Sequence, residues 1–484
     1  MNDAISNLFP QPVWKHFYRL TQIPRPSHHE AAVQDYVIQV GERLGLQVIR
    51  DQADNILIRK AAAPGMESAP GVILQGHLDM VPQANADTRH DFARDPIRVR
   101  VEQDWVKATG TTLGADNGIG VAAALAVLES RQLKHGPVEA LFTSNEEDGM
   151  TGAFGISAEL LQGKMLLNMD SEDEGVLCIG CAGGANANTH LQYAAEEIEP
   201  GWVGYRLSIR GLKGGHSGVD IHRGRGNANK LLSRMLAAVE SVCGLRLSTF
   251  SGGNMRNAIP REATAVFSVP ASRATELDTR VKSQAAAIQA ELTFVEPDLS
   301  VHLEPDTQAR QWLPEAVQQG FLDALMTCPD GVMRMSDCMP GLVESSTNLA
   351  IVNAADGQIE IKSLIRSSVD SARDALCEVH RSLFRMIGAE TVIEGGYPGW
   401  KPNLDSPLLQ TMRHAYQDIF DTQANVGAIH AGLECGIIGG KYPGLDMISF
   451  GPTIRYPHSP DECMHIPSVQ RFWDLLVATL VRLQ

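Results

Sequence analysis

A chain of 484 residues, 44% of them hydrophobic, is long enough for two or three domains with sizeable cores. Its formal charge of −16 and pI near 5.4 argue against nucleic acid or an anionic membrane as a partner. Eight scattered cysteines exclude a disulfide-stapled scaffold, and no apolar run is long enough to span a bilayer.

The first twenty residues lack the apolar core of a secretory signal, so a cytoplasmic location is expected. Helices are predicted at Pro10 to Thr21 and His29 to Leu44, followed by strands at Gln47 to Ile49 and Asn55 to Arg59. Strand 71–76, helix 118–131 and strands 138–144 and 165–169 come next. This alternation predicts an α/β domain with a mixed, mostly parallel sheet and helices on both faces. Cys178-Ile179-Gly180-Cys181 has no second cysteine pair and reads as buried strand packing.

Beyond residue 185 the pattern changes. Strand Tyr205 to Ile209, helix Asn227 to Val239, strands Arg246 to Thr249 and Ala263 to Val269, helix Ala271 to Leu292 and strand Leu299 to Leu303 make a βαββαβ-like unit. A similar run follows through helices Pro314 to Met326 and Asp370 to Met386. The expected architecture is a catalytic domain of residues 1–185 and 401–484, interrupted by an α+β lid and dimerisation domain, 186–400, of tandem units. Helices Pro407 to Phe420 and Ser468 to Leu483 flank a strand at Leu445 to Phe450 and restore the first pattern.

Ionisable groups gather where the apolar strands stop. His77-Leu78-Asp79 follows Val72-Ile73-Leu74, Glu146-Glu147 follows Ala140-Leu141-Phe142-Thr143, and Asp170 follows Met165 to Met169. Asp116 opens a Gly-rich helix start. Taken singly, each has an ordinary reading: Ala115-Asp116-Asn117-Gly118 as a cap and turn, Glu146-Glu147 as a solvated pair. Arriving together at strand ends, with His458, they compose ligands for a pair of divalent cations. His77 and His458 each serve one ion, Asp116 bridges, and Glu147 and Asp170 complete one set each. Asp79 suits a support for His77, and Glu146 suits a general base.

At these residues the chain resembles the M20 family of co-catalytic zinc peptidases. The matching motifs are Leu74 to Pro82, Thr112 to Gly120, Glu146-Glu147, Asp170 and Tyr456 to Glu462. The long insert and Ile429 to Gly436 resemble the branch acting on Xaa-His dipeptides. The resemblance implies two Zn²⁺ per subunit, with Co²⁺ or Mn²⁺ as substitutes. It also implies the ligand set above, a cis peptide at Asp116-Asn117, Glu146 as base, Asp79 as support and a homodimer. The implied substrates are small dipeptides, including β-alanyl-histidine, with an N-acyl-amino-acid deacylase or carboxypeptidase as the alternative.

Further residues follow from the same resemblance. His216, in Gly214-Gly215-His216-Ser217-Gly218, would stabilise the oxyanion in its own subunit or across a dimer, against the plainer reading of a Gly-rich turn. Asn257 matches a substrate contact. Arg366 would pair with the substrate carboxylate, or be a solvated strand-end arginine. His430 and Glu434 are expected near the free amine.

Overall fold

The computed structural model describes residues 5–306 and 311–483. Two compact units emerge: Met1–Gly180 with Trp400–Ala428 and Leu433–Gln484, and Cys181–Gly399 with Ile429–Gly432. The second unit therefore starts earlier than residue 186 and takes back a short piece of the C-terminal part. Ala182 explains the return, because its N–H is within hydrogen-bond range of the Ile429 and Ala431 carbonyls at 3.1 and 2.9 Å.

The first unit is built on an eight-stranded sheet. Its order is Gln47–Arg50, Ile56–Lys60, Val138–Thr143, Val72–His77, Met165–Asn168, Asp446–Ser449, Val176–Cys181 and Asn425–Ile429. The four strands from Val138–Thr143 to Asp446–Ser449 are parallel, and antiparallel pairing begins on either side of them. Val72–His77 and Val138–Thr143 are buried throughout, as parallel strands under helices must be. Helix Ala115–Glu129 is apolar all round from Ile119 to Leu128 and packs between helix Gln11–Thr21 and strand Val72–His77. Its regular turns begin at Gly118, as the apolar pattern predicts, because Asp116 (ψ 112°) and Asn117 (φ −104°, ψ 29°) depart from helical geometry. A small antiparallel sheet, Ile454–Arg455, Cys463–His465, Trp105–Ala108 and Val99–Glu102, carries the loop that holds His458.

The second unit has a nine-stranded antiparallel sheet. Its order is Ser300–Pro305, Trp202–Arg210, Ala263–Pro270, Arg246–Gly252, Val343–Ala355, Gln358–Ser367, Gly183–Gln192 and Glu390–Tyr397, with Gly331–Met335 attached to Val343–Ala355. The two halves join where Phe250 to Gly252 pairs with Val352 to Ala354. Helices Ala228–Cys243 and Glu315–Thr327 help close a core that includes Phe250, Phe267 and Phe321. Cys178 and Cys181 are buried. Among the described residues no helix is long and apolar enough to cross a membrane.

One buried histidine gives this unit a measurable pH dependence. His380 is fully buried, with Nε2 3.1 Å from Thr347 Oγ1, and burial pushes its pKa down to about 4. An unfolded imidazole titrates near 6.5, so the unfolded chain binds more protons between about pH 6.5 and 4. The unit's stability is therefore complete above that window and declines as pH falls through it, by about 3 kcal/mol for this group. Urea unfolding at about pH 7.5 and about pH 4.5 should show a shallower acid loss in His380→Gln than in the native chain. Equal losses in both would remove His380 as the cause.

Candidate metal centre

Three parallel strands deliver their side chains to one edge. Register pairs His77 with Thr143 and Gln75 with Asn168, so the segments that follow emerge together. Those segments supply Asp79, Glu146, Glu147 and Asp170, at the carboxyl ends where α/β sheets collect ligands. Asp116 comes from the helix start after Gly114, which has a φ of 68°, and the Asp116-Asn117 peptide is cis. His458 comes from the small sheet's loop.

The distances form one linked array. His77 Nε2 is 3.0 Å from Asp116 Oδ1 and 3.3 Å from Asp170 Oδ1. His458 Nε2 is 3.2 Å from Asp116 Oδ2 and 3.1 Å from Glu147 Oε2. Asp116 thus faces both imidazoles with different oxygens. Among the described residues, three sets have donor atoms within 4.8 Å of one another: His77, Asp116 and Asp170; Asp116, Glu147 and His458; and His77, Glu146 and Glu147.

The electrostatics favour cations. Burial pushes the Asp170 carboxyl up to about 7, and chiefly burial holds Glu146 well above the usual range. Hydrogen bonds to Asp116 and Glu147 push His458 up to about 11. Burial opposes the charge on His77, yet Asp170 and Asp116 hold its pKa well above normal. Protons on the two imidazoles thus offset a surplus of carboxylate, and a bound cation displaces such protons. Glu147 Oε1 is buried with no hydrogen-bond donor. These imidazole and carboxylate donors fit zinc, cobalt or manganese.

Asp79 ties the array together from behind. Its Oδ1 is 3.3 Å from His77 Nδ1 and accepts from the Glu146 N–H at 3.0 Å, while Oδ2 accepts from the Glu147 N–H at 3.2 Å and Ser27 Oγ at 2.8 Å. Burial alone would raise Asp79, but these bonds and the His77 charge bring it down to about 2. Glu434 opens helix Glu434–Lys441, and its Oε2 accepts from Gln75 Nε2 at 2.6 Å and Thr143 Oγ1 at 2.7 Å.

The second unit gathers its own cluster. His216 Nδ1 accepts from the Gly218 and Val219 N–H groups, both at 3.1 Å, which leaves the ring proton on Nε2. The Asn257 carbonyl accepts from the Ser217 N–H at 2.8 Å, so the Asn257 loop lies beside the His216 turn, with the Asn257 side chain exposed. Arg366 is buried, donates to Tyr397 Oη at 3.2 Å, and keeps its Nε without a partner. His430 Nε2 is 2.7 Å from Ser346 Oγ, and Ser346 pairs with Arg366 across the sheet. Burial first, then Arg366 and His216, push His430 down to about 3. His430 belongs to this unit and Glu434 to the first, although only three residues separate them in sequence.

Two residues without a role in the sequence reading stand out, Arg25 and Glu462. Arg25 Nη1 donates to the Leu78 and Asp79 carbonyls, both at 2.9 Å, and Nη2 to the Gly114 carbonyl at 2.5 Å. Nothing in Ile23-Pro24-Arg25-Pro26 predicts a buried guanidinium. Glu462 lay inside a recognised motif, but only the fold reveals what its carboxylate touches.

A family model described as "Peptidase family M20/M25/M40" matches residues 73–482. The chain is 46% identical over 478 residues to the "Cytosol non-specific dipeptidase" of Escherichia coli (strain K12), covering 99% of each. It is similar to the crystal structure of aminoacylhistidine dipeptidase from Vibrio alginolyticus, with a TM-score of 0.93, 46% identity and 99% of each chain covered. Aminopeptidase PepT from Bacillus cereus shares the fold at a TM-score of 0.56 and 15% identity, over 98% of this chain and 99% of that one.

Proposed function

The chain belongs to peptidase family M20/M25/M40, hydrolases of peptide bonds, and on that premise we propose that it is a cytoplasmic two-zinc dipeptidase. The observation that carries this reading is the sharing of Asp116 between the His77–Asp170 and Glu147–His458 pairs. Zinc ions bound there would polarise the scissile carbonyl and make water a better nucleophile, and Co²⁺ or Mn²⁺ suit the same donors.

The chain's own residues supply the rest. Glu146 takes the proton of the attacking water on its carboxylate and passes it to the leaving amine nitrogen. Asp79 holds the Glu146 and Glu147 backbone in place and orients the His77 ring. His216 donates from Nε2–H to the carbonyl oxygen as it gains charge. Arg366 pairs with the C-terminal carboxylate of the dipeptide, Asn257 and His430 contact the substrate, and Glu434 sets the acidic environment for the free amine. The substrate class proposed is dipeptides, Xaa-His among them. Two relatives of equal identity bear the words "non-specific" and "aminoacylhistidine", which suits a range wider than one sequence.

Hydrolysis of β-alanyl-histidine beside its N-acetyl derivative tests the proposal. Zinc-loaded protein should cleave the free-amine dipeptide and leave the acetylated one intact. Cleavage of the acetylated compound alone would replace the dipeptidase reading with a deacylase.

A further inference from the structure

Glu462 lies four residues beyond His458, and its buried carboxylate spans the start of the helix that carries Asp116. Oε2 accepts from the Leu113 and Gly114 N–H groups at 2.7 and 2.9 Å, and Oε1 from those of Ala115 and Asp116 at 2.7 and 3.3 Å. Four successive donors thus converge on one charged group, and charge-assisted bonds of this kind are the strong ones. Arg25 grips the opposite, carbonyl side of the same loop at Gly114 and joins it to Leu78 and Asp79, beside His77. Glycines make room for it: a Cβ at Gly114 or Gly118 would come within 2.6 Å of Arg25 Nη2.

The His458 turn has little freedom of its own to lose. Tyr456 and His458 both take left-handed backbone angles, φ 55° and 59°, which side-chain-bearing residues keep only where their surroundings fix them. The turn is stitched by Ser459 Oγ to the Tyr456 carbonyl at 2.9 Å and by the Glu462 N–H to the Ser459 carbonyl at 3.0 Å. Glu462 then fastens this turn to residues 113–116. One carboxylate therefore fixes the loop of Asp116 against the turn of His458.

We propose that Glu462, with Arg25 opposite, is a positioning residue that sets the Asp116–His458 separation and thereby the occupancy of the cation position formed by Asp116, Glu147 and His458. The inference rests on the two-cation reading above. The position formed by His77, Asp116 and Asp170 draws two of its ligands from strand ends that Glu462 does not touch, so it should depend on Glu462 less.

The test is a Co²⁺ titration of the full chain after chelator treatment, followed by calorimetry and visible absorption. The native chain should bind two ions. In Glu462→Gln, which keeps the size but loses the charge and one acceptor, one affinity should fall about 10–100-fold and the other much less. Native affinities at both positions, or equal losses at both, would overturn the inference while leaving the two-cation reading intact. Fewer than two ions in the native chain would overturn both. If Glu462→Gln shows no cooperative melting, Glu462→Asp replaces it under the same criterion, since it keeps the charge but shortens the reach.

Discussion

Glu146→Gln is expected to lower kcat by about 10²–10⁴-fold while leaving the bound cations and the fold in place. The substitution is isosteric and removes only the ability to accept a proton. The backbone N–H groups of Glu146 and Glu147 remain bonded to Asp79, so the segment keeps its position. Burial, opposed by His77 but reinforced by Asp170, Glu434 and Glu147, already holds the Glu146 carboxyl well above its usual range. A neutral amide is at home in such surroundings, and the variant should melt no lower than the native protein. Steady-state kinetics with metal analysis on the same preparation checks this. Turnover near the native rate would remove Glu146 from the proton-transfer role.

The second large effect belongs to Asp116. Because its two oxygens face His77 and His458 separately, Asp116→Ala should deplete both cation positions, whereas His458→Ala should deplete one. The loss of Lewis-acid assistance amounts to several kcal/mol, so kcat/KM should fall by at least about 10³-fold at 1.36 kcal/mol per decade. Metal content per chain distinguishes the two variants before any kinetics are run. An Asp116→Ala protein that retains two ions would show that the carboxylate does not bridge.

The sequence made the first-unit array legible for a specific reason. His77, Glu146, Glu147 and Asp170 each follow an apolar run that can only be a buried strand, and parallel strands stop at a common edge. The strand Gly183–Gln192 was not legible. Its sequence, Gly-Gly-Ala-Asn-Ala-Asn-Thr-His-Leu-Gln, is poor in residues that favour strands. It pairs on both sides nonetheless, and its glycines are needed: a Cβ at Gly183 would come within 2.5 Å of the Gly399 nitrogen. Packing overrode propensity there. The hairpin Val99–Glu102 and Trp105–Ala108 was missed because its strands are short and only partly buried. Arg25 was missed because a cation surrounded by carbonyls leaves no periodic trace.

The sheet of the first unit also sets a timetable for synthesis. Asp446–Ser449 fills a place between Met165–Asn168 and Val176–Cys181, strands made long before it. At about 5–20 residues per second, roughly 15–60 s separate the two events on the ribosome. Cys181–Gly399 is complete in that interval, so nearly all of the second unit's chain is available while the first waits with an open gap beside a buried strand. His458 and Glu462 emerge later still. On the proposed reading, a nascent chain that has not yet made His458 lacks one cation ligand, so peptide-cleaving chemistry would be withheld until that residue emerges.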